Sequence, residues 1–152
     1  MKGNHYLYDS VKKITNEAVK AKSLKLLPIG TVILSSRAPI GKVTINKVPT
    51  YCNQGFKFVI CKEQLYNEFL YWWFWGNTDH LNSLGSGATF AEISKTVVEN
   101  ITIPVPPLAA QHQIVTHLDT LSQKIQELEK NYNTILAECD ALKQAILRET
   151  FE

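Results

Sequence analysis

The C-terminal stretch of this 152-residue chain constrains its folding most. Apolar residues recur there at Ile114, Leu118, Leu121, Ile125, Leu128, Tyr132, Ile135, Cys139, Leu142 and Ile146, in alternating steps of four and three. That is the a/d seam of a coiled coil. A single helix lying on a globular domain follows a period of 3.6, and its apolar stripe drifts away from such a seam. Pro106 and Pro107, in "VPPLAAQHQIV", halt the preceding segment and open the helix, expected over about 108–150. At 1.5 Å rise, ~39 residues extend roughly 58 Å, longer than a small domain is wide. Burying each large seam side chain is worth ~1.5–3 kcal/mol, so the helix needs a partner. Tyr132 and Cys139 at a positions suit a tight parallel zipper poorly, which points to a particular partner or to antiparallel pairing.

The remainder is sized for one compact domain, and 45% apolar content argues against wholesale disorder. The first thirty residues carry scattered lysines and no apolar signal-like run. "FLYWWFW", Phe69 to Trp75, is far shorter than the ~20 residues of a membrane span. A soluble, intracellular protein is expected. Cys52, Cys61 and Cys139 have no CxxC spacing, so free thiols are expected rather than a disulfide framework or zinc site. Net charge is only +2, but residues 1–62 hold 11 Lys/Arg against 2 acids, and residues 63–152 hold 5 against 12. A basic first part suggests a surface facing a polyanion, with a solvated lysine face as the bland alternative.

Along the chain, "VKKITNEAVKAKSLKLL" predicts a short helix capped at Thr15 or Asn16. "GTVILSS" reads as a buried strand, "GKVTINKV" as its returning partner, and "GFKFVIC" as a third strand with Phe56, Phe58 and Ile60 on one face. From Lys62 to about Gly76 the pattern turns helical. Leu65, Phe69, Trp72 and Trp73 lie at helical spacing, so a core helix is expected rather than a platform for bases. A Gly-rich loop then leads to a helical turn near Ala91–Ser94 and a strand near Asn100–Pro104.

Catalytic signatures fail on inspection. "GSGATF" is not GxGxxG, and no GxxxxGK[ST] occurs. No acid has a lysine two positions later, and no Asp or Asn precedes a Pro-Pro-aromatic turn. His112 and His117 stand about 140° apart around a helix, unsuited to one metal. The chain is expected to be no enzyme and to hold no metal. What remains is binding. Ser35, Ser36 and Arg37 end a strand and are followed by Lys42; Asn53, Gln54 and Lys57 open the next. Arg forks to guanine, and Asn and Gln pair bidentately with adenine. The same residues serve turns, where Asn and Ser bond their own backbone, and Arg37 could equally be paired with an acid. Both readings fit the residues.

"KLLPIGTVILSSRAPIGKVTI", "CNQGFKFVI", "GSGATFAEISKTVVENITIPVPPLAAQHQIVTHLD" and the heptad helix together resemble the DNA-specificity subunit of type I restriction-modification enzymes. The likeness runs from about Asp9 to the end. It implies an α+β target-recognition domain, about residues 1–106, carrying a small sheet and short helices, followed by a spacer and dimerisation helix over 108–150. It also implies sequence-specific binding of double-stranded DNA by a non-catalytic, cytoplasmic subunit. Methyltransferase subunits would hold S-adenosylmethionine and modify adenine. A restriction subunit using ATP would join for cleavage, and no membrane is involved. The family normally carries two recognition domains and two antiparallel helices in one chain. Here one of each is found, and the recognition domain begins late. Two origins are open: a half-subunit that self-associates through its tail, or a fragment. DNA contacts are then expected from Arg37, Asn53, Gln54 and the Ser86–Thr89 loop, with Ser35, Ser36, Lys42 and Lys57 beside them. Phosphate contacts are expected from Lys12, Lys13, Lys20 and Lys22. The alternative is an assembly fragment that docks through its coiled coil and reads no DNA.

Overall fold

A computed structural model describes residues 5–87 and 91–151. Four short strands, β1 (Tyr6–Leu7), β2 (Val32–Ser35), β3 (Val43–Asn46) and β4 (Phe56–Val59), form one sheet in the order β1-β3-β2-β4. β2 runs antiparallel to both neighbours, pairing Val32 with Ile45 and Val59, and Leu34 with Val43 and Lys57; β1 lies parallel to β3. The helices are α1 (Asn16–Ala21), α2 (Asn67–Gly76), α3 (Thr78–Ser83), α4 (Lys95–Glu99) and α5 (Leu108–Phe151). The fold is α+β: a compact domain with a small sheet and short helices, followed by one long C-terminal helix.

Local chemistry sets most of these elements. β2 is central and buried throughout, as a continuous apolar run predicts. The Thr15 side chain accepts the Ala18 N–H and caps α1, and Ser94 does the same for α4 through Val97. Asn77 ends α2, its amide bonding the Trp73 carbonyl, and the chain bends into α3. α2 packs on β2 and β3, burying Phe69, Leu70, Tyr71, Trp72 and Phe74. Most of its aromatic run is therefore core, with Trp73 half-buried and Trp75 exposed. Asn46, fully buried, ties the strand starts together: its oxygen accepts the Thr31 N–H at 2.7 Å and its amide reaches the Pro28 and Val48 carbonyls at 2.9 Å each.

Two expectations need correction. Ala91–Ser94 is not a helical turn: Glu92 bridges Arg37 and Ser86, and the helix starts only after the Ser94 cap. Asn100–Pro104 is not a strand: Asn100 caps the C-terminus of α4, and 101–104 pair with no strand among the described residues. Phe56, Phe58 and Ile60 are half exposed and, with Val98, Ile101 and Ile103, line an apolar groove of about 410 Å³. β1 was not anticipated, since two residues carry no alternation. It is held by His5, which stacks on Tyr6 and Tyr71 and lies 2.6 Å from the buried Glu68 carboxylate.

The chain divides into two compact units after Val115. The first takes in the opening turns of α5, because Gln111 and Val115 are buried there. Gln111 accepts the Tyr66 N–H at 2.8 Å and donates to the carbonyls of Gln64 at 2.9 Å and Pro106 at 2.7 Å. The second unit is the rest of α5. Within it Leu121, Ile125, Leu128, Tyr132, Ile135, Cys139, Leu142 and Ile146 are exposed and Leu118 is half-buried. Ile114, on the first unit's share of the helix, is also exposed. Among the described residues no helix is long and apolar enough to cross a membrane.

Candidate nucleic-acid interface

Three segments far apart in sequence meet at one end of the sheet. β2 ends at Ser35, and the next residue's N–H donates to the Gly55 carbonyl at 2.9 Å, bringing the start of β4 alongside. The Ser36 carbonyl accepts the Ile93 N–H at 2.9 Å, and Ser86 and Glu92 exchange two backbone bonds. Arg37 and Lys42 on the first segment, Asn53, Gln54 and Lys57 on the second, and Ser86 on the third are thus gathered together. Ile93, fully buried, pins the third segment down. Thr89 lies outside the described residues.

The side chains within this cluster differ in what they can offer. Ser36 is fully buried and Ser35 nearly so. Ser35 Oγ donates to the Pro39 carbonyl and accepts the Lys42 N–H, closing the turn that holds the cis Ala38–Pro39 bond; Ser36 Oγ accepts from Lys57. Both hydroxyls serve the scaffold, which corrects the expectation that they face a ligand. Gly41 has φ +90°, and a Cβ there would stand 2.8 Å from Thr78 Cγ2, so this turn takes glycine. Asn53 Oδ1 accepts the Gly55 N–H at 2.8 Å, an Asx turn of the kind its composition allowed. Arg37 and Glu92 pair at 2.9 Å through Nε and Oε2, and Lys57 reaches Glu92 Oε1 at 3.4 Å. The Arg37 hydrogen bond, joined by the charges of both cations, holds the Glu92 carboxyl below the usual carboxylate range against a smaller opposing effect of burial. Arg37 remains half exposed, as Gln54 and Lys42 are exposed.

Lys12 and Lys13 precede α1, Lys20 lies on it and Lys22 caps its C-terminus; all four are exposed, and Lys13 pairs with Asp9. The segment after α1 leads to Leu27, whose backbone pairs with Thr50 ahead of β2. No hydrogen bond among the described residues ties these lysines to the cluster. Sequence reasoning passed over Glu92, although it is the sole acid in the three segments 35–42, 53–57 and 84–93. That solitary negative charge among Arg and Lys was the available signal. Gln111 carried none, since one glutamine among several polar helix residues does not announce burial.

A family model described as the type I restriction modification DNA specificity domain matches residues 2–137. The chain belongs to that family. Among curated members of this specificity family, the MjaIX specificity subunit of Methanocaldococcus jannaschii is 38% identical over 133 residues, covering 86% of this chain. The EcoDI specificity subunit of Escherichia coli is 30% identical over 125 residues, covering 80%. This chain spans 31% and 28% of their lengths, so it corresponds to less than a third of each. A chain from a solved type I R-M system superposes with a TM-score of 0.75 at 30% identity, over 84% of this chain and 32% of that one. The HsdS subunit of Thermoanaerobacter tengcongensis gives 0.61 at 25% identity, over 70% and 25%.

Proposed function

We propose that this chain reads double-stranded DNA as part of the specificity subunit of a type I restriction-modification complex, and catalyses nothing itself. Residues 1–106 act as the recognition domain and 108–150 as the spacer helix. The observation that carries this reading is the convergence of Arg37, Lys42, Asn53, Gln54 and Ser86 at one sheet end, with the Arg37 guanidinium half exposed. Gathering Arg, Asn and Gln on a rigid edge supplies the donors and acceptors that distinguish base pairs in the major groove. Lys12, Lys13, Lys20 and Lys22 contribute attraction to phosphate, which positions a duplex without reading it. The seam from Ile114 to Ile146 pairs with another helix, either a second copy or a longer specificity subunit. Cytoplasmic methyltransferase subunits bring S-adenosylmethionine to the target adenine, and a restriction subunit brings ATP-driven cleavage.

The test is to co-express the chain with its cognate methyltransferase subunit and map modified adenines across the host genome. A defined new motif is expected, and a split palindrome would mean that two identical halves read it. A stable complex that modifies nothing would refute DNA reading. That outcome belongs to the second reading, an assembly fragment that docks through α5. The exposed apolar side chains along the second unit favour it, because they suit a helix partner whatever the domain does.

A further inference from the structure

Glu92 divides its two carboxylate oxygens between two cations of unequal freedom. Lys57 has three N–H donors. They meet Ser36 Oγ at 2.9 Å, the Gln54 carbonyl at 3.3 Å and Glu92 Oε1 at 3.4 Å, and the side chain is only 17% exposed. Every donor of this ammonium is therefore engaged inside the protein. Arg37 has five donors in a planar fork. Its bond to Glu92 Oε2 uses Nε, the donor nearest the backbone, and the side chain is 51% exposed. The Glu92 backbone cannot drift from this position. It exchanges two bonds with Ser86, bridges Arg37, and is followed by the buried Ile93, whose N–H bonds the Ser36 carbonyl.

We propose that Glu92 is a positioning residue for base recognition: it holds Arg37 by Nε so that the two terminal nitrogens present a fork to a guanine edge, and it silences Lys57 as a phosphate contact. The inference rests on the DNA-reading function proposed above and goes beyond it in naming the base and the residue that orients its reader. The physical reasoning is a competition between two kinds of DNA binding. A free lysine beside the reading arginine would add attraction to any phosphate and so to any sequence. A carboxylate that neutralises it lowers nonspecific affinity, while the arginine fork, fixed in direction, still pairs with O6 and N7 of guanine.

The experiment selects duplexes from a random-sequence library with the full chain. It then compares binding of an enriched duplex and a scrambled duplex between 50 and 200 mM salt (about the range over which phosphate contacts are resolved). Glu92→Gln is expected to bind the scrambled duplex more tightly. Its slope of log K against log salt should steepen by about 0.9, one added phosphate contact. Its preference for the enriched duplex should fall roughly 5- to 150-fold. Arg37→Lys should lose the preference without changing the slope, and 7-deazaguanine in the enriched duplex should reproduce that loss in the wild type. Lys57→Gln should leave the slope unchanged. Unfolding midpoints check that each variant is folded, and should Glu92→Gln fail to fold, the Lys57 and deazaguanine arms still decide. A Glu92→Gln protein that is folded and keeps both preference and slope overturns the inference, as does a reduced slope in Lys57→Gln or indifference to 7-deazaguanine. Failure of the wild-type chain to bind any duplex instead overturns the DNA-reading function and this inference with it.

Discussion

Replacing Gln111 by leucine should loosen the junction between the recognition domain and the start of α5. The side chain is fully buried and makes three hydrogen bonds, to the Tyr66 N–H and to the Gln64 and Pro106 carbonyls. Leucine keeps most of the volume but leaves all three backbone groups without their partner. At a net ~0.5–1.5 kcal/mol per bond, the loss is roughly 1.5–4.5 kcal/mol. For a unit of this size that is a fall in melting temperature on the order of 10 °C. Urea unfolding followed by tryptophan fluorescence measures it, and hydrogen exchange should show faster exchange at the Tyr66 amide. Gln111→Glu separates hydrogen bonding from packing. A carboxylate still accepts from Tyr66 but faces two carbonyls with no donor. The N-terminal end of α5 favours an anion by only ~0.3–1 kcal/mol, less than two unmade bonds cost. The folded-state pKa of this glutamate is therefore raised above its unfolded value of about 4.3. With the folded pKa raised, the variant is most stable below the unfolded value and loses stability as pH rises through and above it. The protein should thus recover as pH is lowered from about 7 toward 4, where the protonated acid regains one donor. A leucine variant that loses less than about 0.5 kcal/mol, the range of an inert surface change, would refute the reasoning. So would a glutamate variant whose deficit does not vary with pH.

Two further predictions concern ionisable groups. Burial raises the Glu68 carboxyl, but the His5 hydrogen bond and charge, the Tyr6 hydrogen bond and Lys47 together outweigh it and hold the group below its usual range. A lowered folded pKa gives stability that is present above the unfolded value and lost as pH falls through the folded one. Acid titration of folding should therefore show a loss below about pH 4.3 that is reduced in Glu68→Gln. Burial also pushes the Cys61 thiol up to about 11 and raises that of Cys52, whereas Cys139 is exposed on α5. With roughly a thousandth of Cys61 ionised at about pH 8, iodoacetamide followed by peptide mapping should label Cys139 first. Cys139 becoming protected as protein concentration rises would report pairing of the seam, and equal labelling of all three thiols would contradict the burial described here.

Strands β2, β3 and β4, the core helix and the long tail were legible because each rests on nearby residues. The run Val32–Leu34, the cap at Thr15, the proline exit and the four-three repeat specify local geometry before any long-range contact forms. Side-chain partnership is a different matter. Ser35 and Ser36 looked like Arg37 in sequence, three polar residues closing a strand. Only the folded turn at 39–42, which takes the Ser35 hydroxyl, and the approach of β4, whose Lys57 takes that of Ser36, consumed the two hydroxyls and left the guanidinium half out. β4 showed which residues share a face, yet Phe56 and Phe58 are half exposed at a groove, because period reports a face and not what covers it. Glu92 and Gln111 became visible only through contacts 55 residues away in one case and 45 to 47 in the other. The amino-acid sequence alone thus determined most of the elements, the charge division and the apolar seam, all of them consequences of short-range spacing. Tertiary structure decided which polar groups are consumed internally and which remain to meet another molecule, since that depends on which segments the closed sheet brings within hydrogen-bond reach.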